Sequence, residues 1–165
     1  MRRPARRSSG SQSLYLQTLN KPMVLNRQKK VRVALAPLRT FLGRVQAAIG
    51  KPRAEVTVCL VSDVEMAHLN AAYRRKNGPT DVLSFPTQRT SRKNHGSAAR
   101  FLGDIAIAPE TARRYARRSG RPLREELRVL ILHGVLHLIG YDHETDQGQM
   151  DRMEQRLRRR LGLAS

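Results

Sequence analysis

Apolar residues in "APLRTFLGRVQAAIG" fall at Leu38, Leu42, Val45 and Ile49, offsets that predict an amphipathic helix ending at Gly50. Ahead of it, "MVLNRQKKVRVAL" has strand character. "AEVTVCLVSD" is rich in β-branched residues and predicts a buried strand. Ser62 or Asp63 then caps a helix through "VEMAHLNAAYRRK", which stops at Asn77-Gly78-Pro79. "TDVLSFP" predicts a short strand closed by Pro86, "TQRTSRKNHGSAAR" a polar basic loop, and "LGDIAIAP" another strand. "PETARRYARRSG" predicts a helix with Pro in its first turn, and "TDQGQMDRMEQRLRRRLG" a basic amphipathic helix at the end. Between them, "PLREELRVLILHGVLHLIG" is apolar nearly all round, as a buried central helix must be. Strands clustered among helices imply an α/β or α+β layer fold, with the expectation set at α+β: one domain with a small mixed sheet of about four strands packed against about five helices.

Composition narrows this picture. The 165 residues suit one core, which with only 4% aromatic residues and no Trp must be mainly aliphatic. Residues 1–22 are Arg- and Ser-rich without periodicity and predict a disordered basic extension, leaving 23–165 as the folded domain, with Met23 an alternative start. The extension has a transit peptide's composition but no apolar stretch of a secretory signal. No apolar run approaches the length needed to span a bilayer, so no membrane partner is expected. The single cysteine, Cys59, precludes an internal disulfide and fits a reducing cytoplasm. Within its apolar run it reads as a small packed residue rather than a nucleophile.

The formal net charge is +19. Residues 1–53 hold 13 Lys and Arg and no acid, while 54–165 still carry a net +6. A field of this sign attracts polyanions, chiefly nucleic acid, or simply solvates an arginine-rich surface.

The sharpest chemistry lies in "HGVLHLIGYDH". His133 and His137 are four apart, so a helix places both imidazoles on one face. Gly140 can end that helix in a left-handed conformation and swing His143 back beside them. Three neutral imidazoles make an open ligand set for a divalent metal such as zinc, which there lowers the pKa of water to about 7. Nickel, copper and iron suit the same donors. The spacing H-x-x-x-H-x-x-G-x-x-H also matches metzincin peptidases, but their general-base Glu is replaced by Gly134.

"HGVLHLIGYDH" resembles the signature of the YbeY family of bacterial metal-dependent endoribonucleases. "LNAAYRRKNGPTDVLSFP" (69–86) and "LGDIAIAPE" (102–110) resemble two further segments of that family, and the likeness covers about 23–160. The basic segment before Met23 is outside the pattern, and the loop at 87–100 is unusually positive. The resemblance implies a single-strand-specific RNA hydrolase acting in 3′-end maturation of 16S ribosomal RNA and in ribosome quality control. Its partners would be ribosomal RNA and the ribosome. It carries over His133, His137 and His143 as metal ligands and Arg74 as the functional arginine, with Arg75 the weaker candidate. Such a guanidinium would bind phosphate oxygens as water or the RNA 2′-OH attacks phosphorus. A solvated helix-end Arg is the plainer reading of Arg74. A ribosome assembly factor with a structural metal, and a degenerate metallopeptidase, are the alternative functions.

Other residues stay open between roles. Asp142 could orient a ligand His, cap the turn or act as base, and Asp146 is a weaker candidate. Thr80, Asp81 and Ser84 could cap a turn or contact RNA, and Asp104 could pair with an Arg. Arg113–Arg114, Arg117–Arg118 and Arg158–Arg160 could track an RNA backbone or form solvated faces, with Arg113 and Arg117 the chosen RNA candidates. His68 and His95 fall outside the cluster, Met150 and Met153 should pack beneath the metal, and Phe85 should pack.

Overall fold

The computed structural model describes residues 23–87 and 101–163. The extension 1–22, and residues 88–100 with His95, lie outside the described residues. The chain order is β1 (Met23–Asn26), α1 (Leu35–Ala48), β2 (Glu55–Leu60), α2 (Asp63–Arg74), β3 (Val82–Pro86), β4 (Phe101–Ile107), α3 (Pro109–Arg118), α4 (Leu123–Leu138) and α5 (Gln149–Leu161).

The sheet runs in the order β1-β2-β4-β3. Strand β2 is parallel to both β1 and β4, and β3 closes the edge antiparallel to β4. The alternation of β2 decides which face is covered. Val56, Val58 and Leu60 are buried in the main core, while Glu55, Thr57 and Cys59 on the other face are half-buried. Helix α4 packs on β3 and β4, with α1, α3 and α5 around it. Its Leu127, Ile131, Leu132, Val135 and Leu136 are almost wholly buried. Each such side chain contributes about 1.5–3 kcal/mol of apolar burial. The opposite sheet face is only partly covered. Met66 of α2 sits with Val61, Leu83, Ala106 and Ala108 in a second, smaller cluster.

Gly134 explains how closely α4 approaches the sheet. A Cβ there would lie 2.8 Å from Cδ1 of Ile105 on β4. The position where a peptidase would carry its Glu is thus filled by packing against a strand.

Three expected elements are shorter than the sequence pattern. β1 ends at Asn26, because the Gln28 side chain bonds both the N–H and the C=O of Val31 and turns the chain. α2 ends at Arg74, two residues before the expected stop, with Arg75 left-handed at φ 54°. Its start is as expected, since Ser62 Oγ accepts the Glu65 N–H at 3.1 Å. α5 begins only at Gln149. Asp146 intercepts the chain first, accepting the N–H groups of Gly148, Gln149 and Met150.

Candidate metal centre and cleft

The buried face of α4 fixes two of the three histidines. His133 and His137 lie one turn apart, with their Nε2 atoms 3.1 Å from each other. The helix then ends as the Gly140 and Tyr141 N–H groups bond the His137 and Leu136 carbonyls, with Gly140 at φ 102°. A tight turn follows. The Asp142 carbonyl accepts the Asp146 N–H at 2.9 Å, and its carboxylate accepts the Glu144 N–H at 3.0 Å and the Thr145 hydroxyl at 3.1 Å. The turn returns His143 to the pair, its ring centroid 5.4 Å from that of His133 and 5.2 Å from that of His137.

One nitrogen from each ring lies within 4.8 Å of the others. Donors about 2.1 Å from one tetrahedral ion stand about 3.4 Å apart, so a small inward adjustment makes a three-nitrogen site. Two ring nitrogens in near contact, with a third beside them, are the donor set a transition metal requires. Burial first, and then the neighbouring His133 and His143, hold the His137 pKa below its usual value, despite a hydrogen bond from the ring to the Tyr141 backbone. The neutral, ligating form is therefore favoured.

The carboxylate that touches a ligand ring is Glu154, on α5. Its Oε2 lies 2.9 Å from His133 Nδ1, and its Oε1 takes Arg158 at 2.5 Å. Burial alone would raise the Glu154 pKa, but the His133 hydrogen bond and the His133 and Arg158 charges more than offset it. An ionised Glu154 accepts the Nδ1 proton and leaves His133 Nε2, the atom facing His137, with a free lone pair. Sequence reasoning missed Glu154 because it lies 21 residues from His133. Asp142 makes its hydrogen bonds within its own turn, mainly to the Glu144 backbone, and these lower its pKa.

A cleft of about 1110 Å³ joins these histidines to the open face of the sheet. Arg74, Ser84, Phe85 and Asp104 line it as well. The Arg74 Nη2 atom is held 2.8 Å from Glu144 Oε1, next in sequence to His143. Arg75 caps the end of α2. Arg113 and Arg117 lie on α3, which contributes no residue to the cleft lining. Among their neighbours, Arg114 is paired with Asp63 at 2.8 Å. Arg158 is committed to Glu154. Thr80 donates to Asp81, which caps the Val82 N–H, so that pair closes a turn. Ser84 Oγ donates to the Gly134 carbonyl at 3.4 Å, tying β3 to the helix that carries His133 and His137.

No ion pair of Asp104 with an Arg is found among the described residues. Asp104 lies opposite Thr57 in the β2–β4 pairing, and burial raises its pKa to about 6 against the lowering effect of a Thr57 hydrogen bond. Cys59 is half-buried on the same face, and burial pushes its thiol up to about 11, so it is not a nucleophile at neutral pH. Met150 is fully buried in the main core and Met153 packs against it, whereas His68 is exposed on α2.

An α+β domain with three converging imidazoles at the mouth of a cleft defines a class of metal-binding proteins with an open site. The Endoribonuclease YbeY family profile matches residues 23–162, and the chain belongs to that family. It is 45% identical over 143 residues to Endoribonuclease YbeY of Koribacter versatilis, covering 87% of this chain and 88% of that one. It is 40% identical to Endoribonuclease YbeY of Aquifex aeolicus, covering 75% and 79% of the two chains. The solution structure of TM1509 from Thermotoga maritima is similar, with a TM-score of 0.58 at 27% identity over 84% of this chain and 88% of that one.

Proposed function

We propose that this protein is a zinc-dependent endoribonuclease that cleaves single-stranded RNA and acts in 3′-end maturation of 16S ribosomal RNA and in ribosome quality control. The convergence of His133, His137 and His143 in a cleft that also holds Arg74 is the observation that carries this reading. Zinc held by these imidazoles would supply Lewis acidity towards a phosphodiester and acidify water for attack. Three protein donors suit a catalytic site, which keeps an exchangeable position, better than a structural one. This weighs against a non-catalytic assembly factor. Gly134 weighs against a peptidase, having no side chain to serve as base.

The chain's own groups divide the work. Glu154 holds the His133 tautomer. Arg74 exchanges its Glu144 partner for phosphate oxygens and stabilises charge that develops as the P–O bond breaks. A second groove, of about 690 Å³, shares Gly140, Tyr141 and Asp142 with the cleft and carries Arg152 and Arg156, which would hold flanking phosphates. A wide cleft lined by strand residues accepts a flexible strand more readily than a rigid duplex. A cytoplasmic location is part of this proposal, in keeping with the single cysteine and with ribosomal RNA as the proposed substrate. Among the described residues, no helix is long and apolar enough to cross a membrane.

The test offers a 16S ribosomal RNA 3′ fragment to the zinc-loaded protein, either single-stranded or annealed to its complement. The single strand should be cut and the duplex spared. Arg74→Ala should slow cleavage about 100-fold while retaining the metal. Equal cleavage of both substrates, or full activity in the variant, would contradict this assignment of roles.

A further inference from the structure

The face of the sheet away from α4 carries a row of side chains that the metal chemistry does not use. Phe85 on β3 pairs across the sheet with Asp104 on β4, which pairs with Thr57 on β2. Side chains at paired positions project from the same face. All three line the cleft that contains the metal-site histidines. Tyr73, from the last turn of α2, stands against this row. Its ring meets Phe85 edge-on with centroids 4.9 Å apart, yet 55% of the residue is exposed.

An exposed aromatic side chain held against a second ring offers its remaining surface to a ligand. The chain has few such groups, with four Tyr, three Phe and no Trp. Two of them meet here, beside the arginine that follows Tyr73 and points to the metal site through Glu144. Asp104 adds an unmatched polar group. Its Oδ1 is buried and has no hydrogen-bond partner among the described residues. A carboxyl oxygen left unmatched beside the Thr57 hydrogen bond is costly to bury unless a ligand completes its hydrogen bonding.

We propose that Tyr73, Phe85, Asp104 and Thr57 form a pocket for one unpaired nucleobase of the bound strand, adjacent to the phosphate presented to the three histidines. Tyr73 stacks on the base, Phe85 fixes the Tyr73 ring, and Asp104 and Thr57 hydrogen-bond the base edge. Stacking tolerates any base because every base has a π-face, whereas the polar pair adds a preference among them. A paired base keeps its edge occupied and its faces stacked, so the pocket selects single strands. This inference rests on the RNA reading above.

A Tyr73→Trp variant makes a reporter, since the chain has no other Trp. The full-length, metal-loaded variant is titrated with a single-stranded oligoribonucleotide, and with a ribose-phosphate oligomer of the same length lacking bases. Binding is followed in parallel by filter retention. The indole emission should be quenched, saturating with binding, by the intact strand alone. Tyr73→Leu should weaken binding of the intact strand about tenfold and leave the abasic oligomer unaffected, with circular dichroism confirming its fold. Retention of the intact strand without quenching, or equal affinity for the abasic oligomer, would overturn the base pocket and leave the nuclease reading standing. Failure of both oligomers to bind would overturn the RNA reading and the pocket together.

Discussion

His133 shows how much a single side chain depends on distant partners. Glu154 reaches it from α5 at 2.9 Å and is itself gripped by Arg158. Replacing Glu154 by Gln keeps the shape but removes the charge that fixes the Nδ1 proton. Metal affinity should fall about tenfold or more, measured by competition with a chromophoric chelator. Unchanged affinity would mean that Glu154 only packs. Asp104 gives a second residue-scale prediction. Burial raises its pKa from 3.8 to about 6, so the folded state binds more protons than the unfolded state between those values. Stability contributed by the protonated carboxyl is therefore present at low pH and lost as pH rises through about 6. Asp104→Asn should stabilise the protein at pH 8 by about 1 kcal/mol, allowing for solvent screening, and by nothing at low pH where both states are protonated. Urea unfolding at the two pH values measures the difference. The convergence of the three histidines was legible in the sequence because i, i+4 spacing and a following glycine have local meaning. Glu154 was not, because its role is set by how α5 docks on α4. The place of Asp104 opposite Thr57 was not legible either, since strand register sets its neighbours.

At the scale of elements, α4 governs the site. Its sequence is apolar on every side, which signals a helix buried between layers, and the structure places it between the sheet and α1, α3 and α5. Gly134 lets it approach β4 so closely that Ile105 fills the space of a Cβ. Gly134→Ala should therefore push the His133–His137 turn off the sheet. We expect a loss of about 1–3 kcal/mol in thermal or urea unfolding, despite the better helix propensity of Ala, together with weaker metal binding. A stabilised variant would show that the contact yields easily. Element order and type followed from periodicity and β-branched runs. Boundaries failed where side chains captured the backbone, as Gln28 does after β1 and Asp146 does before α5. Propensity carries no record of such hydrogen bonds.

For the whole molecule, the topology leaves one sheet face half-covered and sets the three clustered histidines at its border, so one cleft unites sheet, α2 and α4. The parallel and antiparallel pairings that create this cleft could not be read from strand patterns alone. The net positive charge of +19 pointed to a polyanion, but the structure divides the arginines by task. Arg114 and Arg158 pair with acids outside the cleft lining, whereas Arg74, paired with Glu144, lines the cleft.

The central claim is that the three-histidine site and RNA cleavage are one function. The most direct measurement titrates metal-stripped protein with zinc while following cleavage of a single-stranded ribosomal RNA fragment, alongside a His133→Ala/His137→Ala variant. Activity should return in proportion to zinc, reach its plateau at about one equivalent per chain as a single site requires, and be absent from the variant throughout. Cleavage that persists after chelation, or that the variant retains, would contradict the account. So would intact RNA binding by fully metallated protein without any cleavage, which would favour the assembly-factor function instead.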